Sequence, residues 1–215
     1  MSNPVGKDIK AVMFDFDDTL VGTRVPIWRL HRHIAKAHYG VDLEEEILLK
    51  HWGQPIRVLV EHYYGATDID AALALVKQET VNFPKKTFPQ AAPALRKLNR
   101  AGKILGIVSA SHLSILKHDM DRAGIPADII DYIQTSEDTP VHKPNPAVFD
   151  PMLAWAHTRG IDAREILYIG DGIQDMIAAT KAGMNFIGVT TGLATREDFL
   201  SHGSASIADL SELQL

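Results

Sequence analysis

Three aspartates fall within four positions at Asp15-Phe16-Asp17-Asp18, and Thr19 follows them. Carboxylates this close repel one another unless something offsets their charge. The cluster either caps a helix, aspartate being a common N-cap, or gathers a hard cation such as magnesium, which carboxylate oxygens suit. A second acidic group is Gly170-Asp171-Gly172-Ile173-Gln174-Asp175. Asp171 and Asp175 are four apart at the opening of a predicted helix that ends at Ala182, and that spacing places both on one face. Either alone would also complement the helix dipole. Lys143 brings an ammonium in Val141-His142-Lys143-Pro144-Asn145-Pro146, a loop that proline restricts. Ser109 brings a hydroxyl in Ser109-Ala110-Ser111-His112. Taken singly, a loop lysine is a solvated charge and a serine a turn residue. Their worth lies in where they fall along the chain.

Each cluster follows an apolar run. Ala11–Phe14 precedes the first, Ile104–Val108 the serine and Ile166–Gly170 the second acidic group. Amphipathic stretches ending in Gly102, Gly124, Gly160 and Gly183 precede the runs Ile104–Val108, Ile129–Ile133, Ile166–Ile169 and Phe186–Val189. Glycine just past a helix takes the left-handed conformation cheaply, so each reads as a helix C-cap. Continuous apolar runs suit strands buried on both faces. The alternation predicts an α/β fold: a Rossmann-like parallel sheet with helices on both faces. Ligands of such sheets bind beyond the carboxyl ends of the strands, where the clusters fall.

The stretch from Val21 to Pro84 breaks the alternation. Ile27, His31, Ile34 and His38 recur at helical spacing, as do Ile69, Leu73, Val76, Thr80 and Phe83. Leu43–Leu49 and Ile56–Tyr64 also read as helices. The expectation is a small all-helical cap inserted after the first strand, so that 1–20 and 85–215 form a discontinuous core and 21–84 the cap. His31 and His33 fall on opposite sides of one helix and make no metal pair; Trp28, Trp52, Tyr63 and Tyr64 read as cap core. Ser206–Leu213 reads as a short strand and a terminal helix.

Composition narrows the function. Hydrophobic residues are 46% and charged residues 23% of 215, which supplies a core and excludes a disordered chain. The net charge of −5 gives no broad basic surface for nucleic acid. The absence of cysteine excludes disulfides, thiolate metal sites and a cysteine nucleophile. The apolar runs are too short to span a bilayer, and Met1–Lys10 has no signal-peptide core. A cytoplasmic location without membrane or nucleic-acid partners is expected.

In this order the clusters resemble the motifs of the haloacid dehalogenase superfamily, over nearly the whole chain from Val12 to about Leu213. The first motif stands as Asp15-Phe16-Asp17-Asp18-Thr19-Leu20, the second as Ile107-Val108-Ser109, the third as Lys143-Pro144-Asn145-Pro146 and the fourth as Gly170-Asp171-Gly172-Ile173-Gln174-Asp175. The helical insert resembles the cap of the subgroup containing phosphoglycolate phosphatase and β-phosphoglucomutase. The resemblance implies that Asp15 attacks phosphorus to form an aspartyl-phosphate, and that Asp17 protonates the leaving oxygen and then takes a proton from water. It implies Mg2+ at Asp15, Asp171 and the Asp17 carbonyl, with Asp175 ordering the water around it. Lys143 and Ser109 would hold phosphoryl oxygens. Thr19, Ala110 and Ser111 would contact substrate, joined from the cap by Arg57, beside Gly53-Gln54-Pro55, and by Arg24.

Asp17 argues for phosphoryl chemistry over dehalogenation, since a halide leaving group needs no proton. Thr19, where mutases of the subgroup commonly carry valine, favours a phosphatase over a mutase. Asp18 departs from the glycine that many relatives carry. The expected activity is thus a magnesium-dependent phosphatase acting on a small phosphorylated metabolite, as a monomer or homodimer. A phosphomutase of the β-phosphoglucomutase type is the alternative. A receiver-like phospho-acceptor is a more distant one, since receivers are shorter and lack a helical cap.

Overall fold

The computed structural model describes residues 8–54 and 56–214. The chain forms two compact units, residues 23–86 and the remainder on either side. Among the described residues no helix is long and apolar enough to cross a membrane.

The discontinuous unit is built on a six-stranded sheet. Its strands are β1 (Ala11–Phe14), β4 (Ile104–Val108), β5 (Tyr132–Gln134), β6 (Ile166–Gly170), β7 (Asn185–Val189) and β8 (Ser206–Ile207). They lie in the order β5-β4-β1-β6-β7-β8, and every neighbouring pair is parallel. β1 is central: Phe14 stands level with Ile107 of β4 and with Ile169 of β6. The fold is the α/β, Rossmann-like architecture the sequence predicts.

The two-residue period of a strand divides the apolar side chains between two cores. Val12 and Phe14 of β1, Leu105 and Ile107 of β4, and Leu167 and Ile169 of β6 face one side. There they meet Leu95 and Leu98 of α5 (Ala91–Arg100) and Leu116 and Met120 of α6 (Leu113–Ala123). Ala11, Met13, Val108, Ile166 and Tyr168 face the other side, against Met152 and Ala156 of α7 (Asp150–His157) and Ala178 and Ala179 of α8 (Ile173–Lys181). Burial on both faces explains why these strands read as unbroken apolar runs. Two glycines make room within the layers. A Cβ at Gly106 would collide with the Met13 sulfur, and one at Gly188 with the Phe199 ring of α9 (Arg196–Ser201).

The predicted stops hold. Gly124 closes α6 at φ 66°, and Gly102, Gly160 and Gly183 also have positive φ. Other boundaries move. β5 begins at Tyr132, because Ala127–Ile129, expected to lead into a strand from Ile129, forms a 3-10 turn after Pro126. After β8 the tail ends in a 3-10 turn, Leu210–Glu212, rather than a helix proper. α8 opens at Ile173 with Gly172 as its N-cap, so Asp171 lies outside the helix. The shared helical face expected of Asp171 and Asp175 therefore does not exist; a strand end positions one and a helix start the other.

The chain leaves through β2 (Val21–Gly22) and returns through β3 (Lys86–Thr87). Between them the helical unit contains α1 (Arg24–Tyr39), α2 (Glu45–His51), α3 (Ile56–Tyr64) and α4 (Ile69–Glu79). Its own core gathers Leu30, Ile34, Leu48, Val60 and Ala72 with Trp28, Tyr63 and Tyr64. α2 starts two residues later than the apolar pattern from Leu43 suggests, and α4 passes into a 3-10 turn at Thr80, short of Phe83. The polar residues Met1–Lys7, and Pro55 beside Arg57, lie outside the described residues.

Candidate active site

Because every strand of the sheet points the same way, the residue after each strand lands on one edge. Asp15 follows β1, Ser109 follows β4 and Asp171 follows β6. The ladder continues one step into these residues: the Asp15 amide donates to Ile169 O at 2.8 Å and the Ser109 amide to Gln134 O at 3.0 Å. The first carboxylate and the hydroxyl are thereby tied through their backbone to the sheet.

Lys143 arrives from the loop after β5, through a cis peptide to Pro144. Its ammonium lies 2.6 Å from Asp15 Oδ1 and 2.6 Å from Asp175 Oδ1. The three side chains are only 13%, 14% and 7% exposed for Asp15, Lys143 and Asp175, so the pairing is largely shielded from water. Lys143 Nζ also sits 5.1 Å from the centre of the Tyr168 ring. The Tyr168 hydroxyl donates to Val108 O at 3.2 Å, which sets that ring in place. Asp175 also shapes the backbone, since its Oδ2 accepts the Gly172 amide at 3.0 Å and so closes the first turn of α8. A Cβ at Gly170 would strike the same carboxylate.

The charge does not balance locally. Burial pushes the Asp15 carboxyl up to about 7; Lys143 opposes this, while Asp175 and Asp17 add to it. Burial likewise raises Asp171 well above the carboxylate range, reinforced by Asp175, Asp15 and Asp18. Burial disfavours the Lys143 ammonium, but Asp15 and Asp175 outweigh it and raise its pKa well above the usual lysine value. The site thus holds more carboxylate than Lys143 can neutralise. Among the described residues no three acidic or histidine side chains group to grip a metal ion by themselves.

The other candidates are held within their own units. Asp17 Oδ2 accepts a hydrogen bond from Ser111 Oγ at 3.1 Å. Ser109 is buried, and its hydroxyl accepts the Ser111 amide at 3.1 Å. Ala110, between them, is exposed. Thr19 is buried, and its hydroxyl has no hydrogen-bond partner among the described residues. Asp18 adopts φ 57°. That left-handed conformation explains why an aspartate can stand where glycine is common, since Asp and Asn tolerate it best after Gly. Arg24 and Arg57 belong to the helical unit. The Arg24 guanidinium lies 5.0 Å from the Trp28 ring centre, and Arg57 pairs with Asp70 at 3.0 Å on an exposed surface.

Three contributors escape sequence reasoning. Tyr168 hides inside an apolar strand and reads as core. Thr191, whose hydroxyl donates to Asp18 O at 2.5 Å, and Gly192, where a Cβ would fall on the Asp171 carboxylate, both come just after β7. The rule that found the other candidates, inspecting the residues beyond each strand's carboxyl end, finds that pair too when extended to β7.

Buried carboxylates around a lysine at the carboxyl edge of a parallel sheet can bind a cation and an anionic group together, and the chain is similar in sequence and fold to known proteins. A phosphoglycolate phosphatase of Yersinia pseudotuberculosis is 31% identical over 96% of this chain and 92% of its own length. A Bacteroides fragilis structure described as a haloacid dehalogenase-like hydrolase superposes with a TM-score of 0.79 at 26% identity, covering 96% of this chain and 100% of that one. A Thermotoga maritima structure described as a β-phosphoglucomutase shares the fold, with a TM-score of 0.77 at 19% identity over 95% and 96% of the two chains. Residues 12–189, which run from β1 to the end of β7 and so include Asp15, Ser109, Lys143, Asp171 and Asp175, match the haloacid dehalogenase-like hydrolases, and the chain belongs to that family.

Proposed function

We propose that the chain is a magnesium-dependent phosphatase that hydrolyses a small phosphorylated metabolite, in the manner of a phosphoglycolate phosphatase, through an aspartyl-phosphate on Asp15. One observation carries this reading: the Lys143 ammonium lies 2.6 Å from Asp15 Oδ1 at a strand end, with a second carboxylate, Asp17, two residues on. A carboxylate held against a lysine is oriented for attack, and the same ammonium can follow charge onto the incoming phosphoryl oxygens.

The donor set fits magnesium. Asp15 and Asp171 are hard oxygen donors whose pKa values are raised first by burial and further by the neighbouring carboxylates. Mg2+ keeps several waters and usually takes only one or two carboxylates, which suits a site without three grouped acidic side chains. Asp15, Asp171 and the Asp17 carbonyl would hold the ion, with the Asp17 and Asp175 carboxyl groups beside it, and when bound it supplies charge neutralisation for the phosphoryl group.

The chain's own residues divide the chemistry in two. Asp15 Oδ bonds to phosphorus as the bond from phosphorus to the leaving oxygen breaks, and protonated Asp17 gives that oxygen its proton. Asp17, now a carboxylate, takes a proton from water as the water oxygen bonds to phosphorus and the bond from phosphorus to Asp15 Oδ breaks. Ser109 and Lys143 hold non-bridging oxygens throughout. Acid–base help of this kind is worth about 10²–10⁴-fold. Thr19, Ala110, Arg24 and Arg57 are the candidates for holding the rest of the substrate.

The test is phosphate release over a panel of phosphorylated metabolites, including 2-phosphoglycolate and a hexose 1-phosphate, with magnesium and with a chelator. Released phosphate that depends on magnesium supports a hydrolase. Rearranged sugar phosphate without release makes the chain a mutase. A phospho-Asp15 stable for minutes without turnover makes it an acceptor.

A further inference from the structure

The stretch Ser109-Ala110-Ser111-His112 joins β4 to α6, and both ends of Ser111 are tied down within the α/β unit. Its amide donates to Ser109 Oγ at 3.1 Å, closing a hydroxyl-bridged turn. Its carbonyl accepts the Ser136 amide at 3.2 Å. Ser109 is itself locked to Gln134 through its own amide at 3.0 Å. With both backbone groups of Ser111 committed, the direction of its Cα–Cβ bond is held. That direction leads to Asp17: Ser111 Oγ donates to Asp17 Oδ2 at 3.1 Å, across 94 positions of sequence.

A serine hydroxyl has one proton to donate. Given to Asp17, it is not available to a phosphoryl oxygen, so the hydrogen bond argues against Ser111 as a direct substrate contact. We propose instead that Ser111 is a positioning residue for Asp17, fixing the plane of the carboxyl group that passes the proton to the leaving oxygen. The proposal rests on the acid–base role given to Asp17 above. Ser111 keeps its own proton through both half-reactions. When Asp17 is protonated, Oδ2 accepts from Ser111 and the acidic proton is carried by the other oxygen. When Asp17 is ionised, the same hydrogen bond holds one oxygen while the other receives the proton of water. The aim of a proton donor matters because transfer requires hydrogen-bond geometry with the reacting oxygen.

The distinguishing measurement is the dependence on leaving group, read as kcat/KM, which covers the steps through phosphorylation of Asp15. An alkyl phosphate such as 2-phosphoglycolate needs its leaving oxygen protonated; p-nitrophenyl phosphate does not. Ser111→Ala is expected to lower kcat/KM 10- to 100-fold on the alkyl ester and less than threefold on the aryl ester. Ser111→Thr, which keeps the hydroxyl, is expected to return the alkyl value to within a factor of three. Equal losses on both esters would mean a substrate contact or a merely structural role, and so would failure of Ser111→Thr to rescue; either result overturns the proposal, as does an unchanged Ser111→Ala. Asp17→Asn serves as the reference. If it shows the alkyl-selective loss and Ser111→Ala does not, the positioning role fails alone. If Asp17→Asn loses both esters equally, the acid–base role of Asp17 fails.

Discussion

Gly192 stands where any side chain would occupy the space of the Asp171 carboxylate. The two residues come from neighbouring strand ends, Asp171 after β6 and Gly192 three positions after β7. A missing methyl group on one loop is therefore a condition for where the acid on the other can point. Thr191 beside it holds the Asp18 carbonyl, so one short turn bears on two acidic residues of the site.

Gly192→Ala is accordingly expected to displace Asp171 without unfolding the sheet. Metal affinity and kcat/KM should each fall about 10- to 100-fold, the usual effect of disturbing a group that orients a ligand. Isothermal titration with Mg2+ beside phosphate release checks this. Unaltered affinity in a folded variant would show that Asp171 has no part in holding the ion.

Asp15→Asn is expected to lose at least ~10³-fold in phosphate release, because an amide cannot form the acyl-phosphate. Its effect on stability should run the other way. The folded-state pKa of Asp15 is pushed up to about 7 from 3.8, chiefly by burial. The folded chain then binds the extra proton between those values, and ionised Asp15 costs stability as pH rises through 7. In chelator at pH 8 the variant should melt above the parent, with Lys143 keeping its pairing to Asp175. A lower melting temperature would show that the Asp15–Lys143 pair is worth more than its burial costs.

Strand ends were the most legible part of the chain. Parallel strands buried on both faces leave a strong apolar signal, and the first polar residue after each is forced to one edge; that is how Asp15, Ser109 and Asp171 are legible in the sequence as one edge. Relationships that depend on which way a side chain turns were not legible. Asp175 and Asp171 share a motif, yet one lies on the helix that starts at Ile173 and the other before it. Tyr168 looks like any strand aromatic until its hydroxyl is seen on Val108 O. Ser111 and Asp17 are adjacent only because β4 lies beside β1. Short 3-10 turns, as at Ala127–Ile129, arise from proline and local bonding that apolar periodicity does not register.

Magnesium should stabilise the protein more at alkaline than at acid pH. Asp15 and Asp171 both hold protons above their ordinary range, and an ion bound by carboxylates must displace those protons. Apparent affinity should therefore rise with pH between pH 5 and 7, by about tenfold per pH unit for each proton released on binding. Thermal shifts across a magnesium titration at several pH values measure it. An affinity independent of pH in that range would place the ion on other ligands.

His31 gives the helical unit its own pH dependence. The ring is fully buried, its Nδ1 lies 2.6 Å from the Tyr64 hydroxyl, and the Tyr63 ring stands edge-on with centres 5.0 Å apart. Its Nε2 is buried with no hydrogen-bond partner among the described residues. An imidazolium needs an acceptor at both nitrogens, so burial pushes the pKa down from 6.5 to about 4. Between those values the unfolded chain takes up a proton that the folded one refuses, and stability falls as pH drops through the window while staying level above it. At ~1.4 kcal/mol per pH unit the loss attributable to His31 is about 3 kcal/mol by pH 4.5. Urea unfolding followed by tryptophan fluorescence, with Trp28 and Trp52 as reporters in this unit, should show the parent losing that much more than His31→Gln between pH 7.5 and 4.5. Equal losses in parent and variant would mean that His31 accepts its proton in the folded state.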